Sequence, residues 1–429
     1  MKNLNMWGLL QELYPLNRSL TGEGLRESLR IIRRHVPLDI LEYPSGMECF
    51  DWTIPDEWNV VDAYILDPSG NKIIDFQENN LHLLGYSIPF EGMVDLATLK
   101  EHLYTLPKQP DAIPYVASFY ERRWGFCIKQ EQYDELTEGD YKIKIDASLE
   151  PGSLSIGEGR IKGRSDKEIL LHSYLGHPSM ANDQLSGPMS LLLVYRWLLE
   201  NQTDLRYSYR ILFTPETIGT ICYLSTHLEE LKENVVAGYV LAFTGDAAPL
   251  TYKGSKDSDV LANRAMMNAC FACEEEVRTR PYHPLGADER QFNAPGINLP
   301  VGCLMRSAPG EYPEYHTSKD DLSIISEESI QGAADLIIGA VKNVEANCRL
   351  KPVHLYCEPK LDKKGLYPTL GKNAGGKHLG REILSVWGLT DVSEDLIEIG
   401  DRLQRSAHSL REACRLAESA GLIETDCEE

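Results

Sequence analysis

Between residues 167 and 347 the chain alternates buried-strand patterns with amphipathic helix patterns, and this alternation limits the fold more than any other feature. KEILLHSYLGH (167–177), YSYRILFTP (207–215), VVAGYVLAFTG (235–245) and NLPVGCLMR (298–306) are short, near-continuous apolar runs. Between and after them lie SGPMSLLLVYRWLLE (186–200), TIGTICYLSTHLEEL (217–231), DVLANRAMMNACFACEEEV (259–277) and SEESIQGAADLIIGAVKNVEAN (326–347), each with apolar residues at helical spacing. Strands that alternate with helices predict an α/β fold: a mixed, largely parallel sheet with helices on both faces.

The flanking segments follow a different grammar. Residues 1–35 predict one or two helices, with Thr21 as an N-cap, and PLDILEYP (37–44) predicts a short strand. From about 55 to 110, short alternating runs are divided by Pro-Ser-Gly, Asn-Asn and Gly signals, which predicts a small β-rich insertion. YVASFY, WGFCIKQ, YKIKIDASL and GSLSIGEGRIKG extend the strand-rich pattern to about residue 165. RLKPVHLYCEPKLDKKGLYPTLG (349–371) has the composition of a linker, and the tail predicts three helices with a helix-turn-helix. The expected organisation is a catalytic domain over 1–55 and 111–350, an insertion over 56–110, and a linker with a winged-helix domain over 351–429. On this division the catalytic half is expected to fold without residues 372–429.

In open α/β sheets a ligand binds at the carboxyl ends of the strands. Four strand ends here each supply an imidazole or a carboxylate: His177 and Asp183 after the first strand, Glu216 after the second, Asp246 after the third and His316 after the fourth. Imidazole nitrogen and carboxylate oxygen are the donors zinc takes, at about 2.0–2.2 Å, with one position left for water. Zinc lowers the pKa of such a water and polarises a scissile carbonyl. A carboxylate that is not a ligand then takes the proton, and Glu216 suits that work. His172, inside LLHSY, is expected only to pack against the sheet.

Composition narrows the partners. Lys plus Arg number 43 and Asp plus Glu 65, for a net charge of −22. Such a chain is repelled by phosphate backbones, so no nucleic-acid partner is expected. The helix-turn-helix region does not depart from this: residues 376–429 carry six basic and twelve acidic side chains. No apolar run approaches the length of a membrane span, and MKNLNMWGLLQELYPL lacks the apolar core of a signal peptide. The ten scattered cysteines then read as reduced thiols of a cytoplasmic protein, and Cys270 and Cys273 as core thiols on a helix.

LGHP, ANDQLSG, TPETIGT, TGD and EYHTSKDD, in that order, resemble the motifs of the zinc aminopeptidase superfamily that includes leucine aminopeptidases, glutaminyl cyclase and glutamate carboxypeptidase. GADERQFNAPGINLPV (286–301) resembles the segment that precedes its last strand. The whole chain is similar to a bacterial branch of that superfamily whose members carry a β insertion and a C-terminal winged helix and often lie near polysaccharide-biosynthesis genes. The resemblance implies that His177 and Asp246 hold a first metal, that Asp183 binds or bridges, that His316 serves a second site, and that Glu216 is the general base. Thr217 stands where the family has a second ligating glutamate, and Ser179 where it often has an aspartate. One zinc, held by His177, Asp183 and His316 with Asp246 or Glu216 nearby, is therefore expected rather than two.

The expected function is hydrolysis of an amide bond in a peptide or small-molecule substrate, aminopeptidase-like. A deacylase acting on small N-acyl compounds or sugars, and a non-catalytic scaffold, are the alternatives. Asp288, Arg290, Tyr312 and Tyr315 lie in segments expected to rim the substrate pocket. A homo-oligomer is compatible with the sequence.

Overall fold

In the computed structural model, which describes residues 4–366 and 374–426, the four apolar runs form the middle of an eight-stranded sheet. The order is Asp39–Pro44, Ser153–Ile161, Ser208–Thr214, Glu168–Tyr174, Val235–Leu241, Val301–Met305, Leu250–Lys253, Val277–Arg280. Ser208–Thr214, Glu168–Tyr174, Val235–Leu241 and Val301–Met305 run parallel to one another. Three antiparallel pairings lie outside these four: Asp39–Pro44 on Ser153–Ile161, Ser153–Ile161 on Ser208–Thr214, and Leu250–Lys253 on Val301–Met305.

Both faces of this sheet are covered because its strands are apolar on both sides. Ile169 and Leu171 point into one core, with Leu191, Leu192, Ile337 and Val341 from the helices Gly187–Glu200 and Glu327–Ala346. Leu170, one residue out of phase, points into the other, with Ile218 and Cys222 from Ile218–Asn234. The period of two thus sorts neighbouring residues into two layers. The segment read as one helix over 259–277 divides: Leu261–Ala269 is helical, Cys270–Ala272 is a single tight turn, and Val277–Arg280 is a strand.

The insertion is larger than the turn signals suggested. Its sheet is ordered Lys72–Asp75, Glu57–Leu66, Asp140–Glu150, Phe90–Asp95, all antiparallel. Asp140–Glu150, expected in the catalytic domain, is the long strand that joins the other two halves, so the unit runs to about residue 150. Trp58, Tyr86, Phe126 and Ile143 give it a separate core. YVASFY (115–120) makes an isolated bridge rather than a strand, and the residue before it, Pro114, bridges Thr317 in the loop that follows Val301–Met305. Thr21 caps no helix; its hydroxyl bonds Tyr86 Oη at 2.6 Å and accepts from Trp58 N, tying the amino terminus to the insertion.

A charged joint fixes the insertion to the body. Arg26 Nη2 lies 2.9 Å from Glu57 Oε2, and Asn59 and Ser153 N also donate to that carboxylate. Burial raises the Glu57 pKa, but these hydrogen bonds prevail and bring it from 4.5 down to about 2. Its stabilising contribution is complete above the unfolded value and is lost as pH falls through about 2. Glu57→Gln is therefore expected to cost roughly 1–3 kcal/mol near neutrality. It should also flatten the acid limb of stability between pH 4.5 and 2. Thermal melts of both proteins across that range check this, and parallel curves would refute it.

The carboxy-terminal unit is not tethered by a free linker. Arg349–Pro352 pairs antiparallel with Ile423–Asp426, so the start of the supposed linker is a strand of the winged helix. Helices Leu396–Leu403 and Ala407–Ser419 pack on Leu261–Ala269 and Glu327–Ala346, and Ile397, Leu410 and Ala413 belong to the same core as Met266 and Ile337. The amino end of Ala407–Ser419 is turned inward: Ala407 N donates to Asn268 Oδ1 and His408 N to Asn343 Oδ1. Among the described residues, no helix is long and apolar enough to cross a membrane.

Candidate metal centre

The parallel strands deliver their carboxyl ends to one edge, and the chain segments that follow them carry the polar residues. His177 comes three residues after Glu168–Tyr174, and Glu216 two residues after Ser208–Thr214. His177 Nε2 lies 3.8 Å from Glu216 Oε2. Burial pushes the His177 pKa down to about 4, which keeps the imidazole neutral, the form that binds metal. Buried Arg18 holds the loop by donating from Nε to His177 O at 2.9 Å.

Asp183 lies in the irregular turn Asn182–Ser186, where its backbone and that of Gln184 leave helical geometry before Gly187–Glu200 begins. Gly187 is required there, because a Cβ would lie 2.4 Å from Leu241 O. Asp320 braces the turn: Oδ1 accepts from Ala181 N and Asn182 N, and Oδ2 from Asp183 N at 2.9 Å. With its backbone fixed from behind, the Asp183 carboxylate projects forward.

His316 has φ of +56°, and its carbonyl accepts from Tyr115 N at 2.8 Å. The Tyr315 ring stacks on its imidazole, with centroids 3.9 Å apart. Its Nε2 comes within 3.1 Å of Asp183 Oδ2. Among the described residues, His177, Asp183 and His316 form the one group of three metal-type donors, with ligand atoms within 4.8 Å of one another. Both Asp183 oxygens and His177 Nδ1 are buried without a hydrogen-bond partner. An unpartnered buried carboxylate is costly unless something cationic compensates it. Two imidazoles and one carboxylate, with a side open to the cleft, fit zinc.

Glu216 is oriented by Gln184, whose Nε2 donates to Oε2 at 2.7 Å while its Oε1 accepts from Gly176 N. Burial, then the charges of Asp183 and Asp288, push the Glu216 carboxyl well above its usual range. That is the direction a base working near neutrality requires. Thr217 has φ of +63°, an outlier for a β-branched residue. It is held there by its N–H to Asp288 and by Arg290 Nη2, which donates to Thr217 Oγ1 at 2.6 Å.

The remaining expected residues part ways. Asp246 stays outside the trio: its carboxylate accepts from Asn182 Nδ2, Ala248 N and Ser307 N, so it shapes the turn that carries Asp183. Asp288 is fully buried behind the wall, accepting from Thr217 N and Thr220 Oγ1. Tyr312 is buried too, its hydroxyl donating to Asp320 Oδ2, so it supports the brace rather than rimming a pocket. Tyr315 is half-buried against His316. Arg290 does face the cleft, which has a volume of about 470 Å³ and also exposes Glu216, His177 and His316. His172 packs as expected, near Thr214 and Thr220 hydroxyls, with its pKa pushed down to about 3 by burial.

Sequence reading missed Gln184, Asp320, Arg18 and Tyr115. Gln184 and Asp320 sit inside motifs already singled out, NDQLSG and YHTSKDD, and a polar residue one or four places from a ligand was the available signal. Tyr115 comes from the insertion, with its ring centroid 4.8 Å from that of His177 and 5.2 Å from that of His316. No local pattern marks it.

Strand order, a parallel centre and metal-type donors at the strand ends define an aminopeptidase-like fold. The chain belongs to the family described as "Domain of unknown function (DUF4910)", matched over residues 7–347, and residues 349–425 match a winged helix-turn-helix. It is 41% identical over 396 residues (92% of this chain and 90% of the other) to a Clostridium acetobutylicum protein provisionally named as a polysaccharide biosynthesis protein with an aminopeptidase-like domain. A crystal structure of a Clostridium acetobutylicum protein provisionally described as a peptidase superposes with a TM-score of 0.89 at 38% identity, over 98% of this chain and 96% of that one. A zinc aminopeptidase from Bacillus subtilis gives a TM-score of 0.56 at 14% identity, over 80% and 95% of the two chains, a likeness of fold alone.

Proposed function

We propose that the protein is a zinc-dependent hydrolase that cleaves an amide bond in a peptide or small molecule. The observation that carries this reading is the convergence of His177, Asp183 and His316 beside Glu216 in an open cleft. Zinc held by the trio would supply Lewis acidity toward the scissile carbonyl and acidify a water. Glu216 takes the proton from the attacking water, and the leaving amine collects it. Gln184 fixes the carboxylate for both transfers through its 2.7 Å bond. A single ion is favoured because Arg290 presents a guanidinium to Thr217 and because Asp246 is engaged with Asn182. The inward-facing amino end of Ala407–Ser419 and the acidic charge support a packing role for the winged helix, without nucleic acid.

His316→Ala is expected to abolish zinc binding or cut it severely, since it removes one of three protein ligands. Zinc stoichiometry by elemental analysis checks this, and unchanged content and affinity would overturn the site. Activity is tested with zinc-loaded protein against aminoacyl chromogens and N-acyl compounds. N-acyl amino sugars belong in that screen because the clostridial relative is named for polysaccharide biosynthesis.

A further inference from the structure

We propose that Arg290 is an anion-binding residue of the cleft and that the substrate is an N-acyl compound carrying a carboxylate rather than a peptide with a free amino terminus. The inference rests on the amide-hydrolase reading and narrows it to a substrate class.

Arg290 shares the cleft wall with Glu216, His177 and His316. Its guanidinium is fixed: Nη1 donates to Gly286 O and Nη2 to Thr217 Oγ1. Both contacts are to neutral oxygens. Arg26, Arg210 and Arg306, which are also partly or fully buried, are matched to carboxylates, Glu57, Glu168 and Glu275, whereas fully buried Arg18 is spent on the backbone carbonyls of Leu13 and His177. Among the described residues, no carboxylate oxygen lies within 4.0 Å of Arg290. Its neighbour in sequence, Asp288, spends its oxygens on Thr217 N and Thr220 Oγ1. A preorganised guanidinium with donors to spare is a carboxylate receptor.

The rest of the cleft agrees. A free ammonium group needs a carboxylate to receive it, and Glu216, the proposed base, is the sole acidic residue among those lining the cleft. The same cleft is lined by Trp52, Tyr115, Phe119 and Tyr120, aromatic side chains suited to an apolar or planar part of the ligand. Base, metal-type donors, guanidinium and aromatic wall together match an amide with a negative group to one side.

The test is calorimetric binding of three probes: N-acetyl-L-phenylalanine, its neutral amide, and cationic L-phenylalaninamide. Each is titrated into wild type, Arg290→Gln and Arg290→Lys, zinc-loaded and chelated, after circular dichroism has confirmed the fold of each variant. Wild type is expected to bind the acid at least about tenfold more tightly than the neutral amide, the value of one charge-assisted contact. Arg290→Gln should erase that preference and Arg290→Lys retain part of it. A preference intact in Arg290→Gln would come from the metal and overturn the proposal. So would tightest binding of the cationic probe, or no binding of the acid at millimolar concentration. Zinc content of the same samples tests the hydrolase reading separately. If wild type holds no zinc, that reading fails while the Arg290 comparison in chelated protein still reports anion capture.

Discussion

Glu216→Gln is expected to keep the fold and the bound zinc and to lower kcat by about 10²–10⁴-fold, the usual contribution of general-base catalysis. The substitution is nearly isosteric, and the new amide oxygen can still accept from Gln184 Nε2. What it removes is the ability to take a proton. Glu216 is not among the three donors that converge, although its Oε2 comes within 3.8 Å of His177 Nε2. Zinc content and kcat measured on one preparation separate the possibilities. Zinc lost together with turnover would move Glu216 into the ligand set. Full zinc and full turnover would rule out both roles and with them the mechanism.

A chain ended at residue 371, and so without residues 372–429, is expected to be insoluble or to melt without cooperativity. This reverses the expectation that the catalytic half folds alone. The deleted segment covers Leu261–Ala269 and Glu327–Ala346 with Ile397, Ala407 and Leu410, all buried in one core with Met266 and Ile337. It also partners two fully buried amides. Asn268 donates to Asp401 Oδ1 at 2.7 Å and accepts from Ala407 N, and Asn343 accepts from His408 N. Leaving a buried polar group unpaired costs about 1–3 kcal/mol, and whole-domain stability is only about 5–15 kcal/mol. Arg264 would also lose Asp395, 2.6 Å away. Soluble yield and a thermal melt decide the matter. A truncated protein that melts cooperatively within a few degrees of full length would show that the contact is superficial.

The candidate site was legible where its residues follow strand ends in chain order. His177, Asp183, Glu216 and His316 could be named because each sits just past an apolar run, and strand ends in a parallel sheet must share one edge. Asp246 met the same criterion, yet its carboxylate turned to Asn182. Chain position says which edge a residue reaches, not which neighbour its side chain takes. Asp288 and Tyr312 show the same limit: both lie in the right segments, and both face inward to hydrogen-bond partners more than a few residues away.

The sequence by itself determined the α/β core, the two-layer sorting of its strands, and the residue types available at the carboxyl edge of its sheet, because all three depend on local periodicity and chain order. Tertiary structure alone decided three other things. It placed Asp140–Glu150 in the insertion sheet, since register between strands far apart in sequence is set by their shared core. It brought Tyr115 and Arg290 to the cleft from opposite sides of the chain. It also fused the winged helix to the body through Asn268 and Asn343, buried amides whose partners lie 65 to 139 residues away. Such contacts depend on which surfaces meet after folding, and no short-range pattern encodes that.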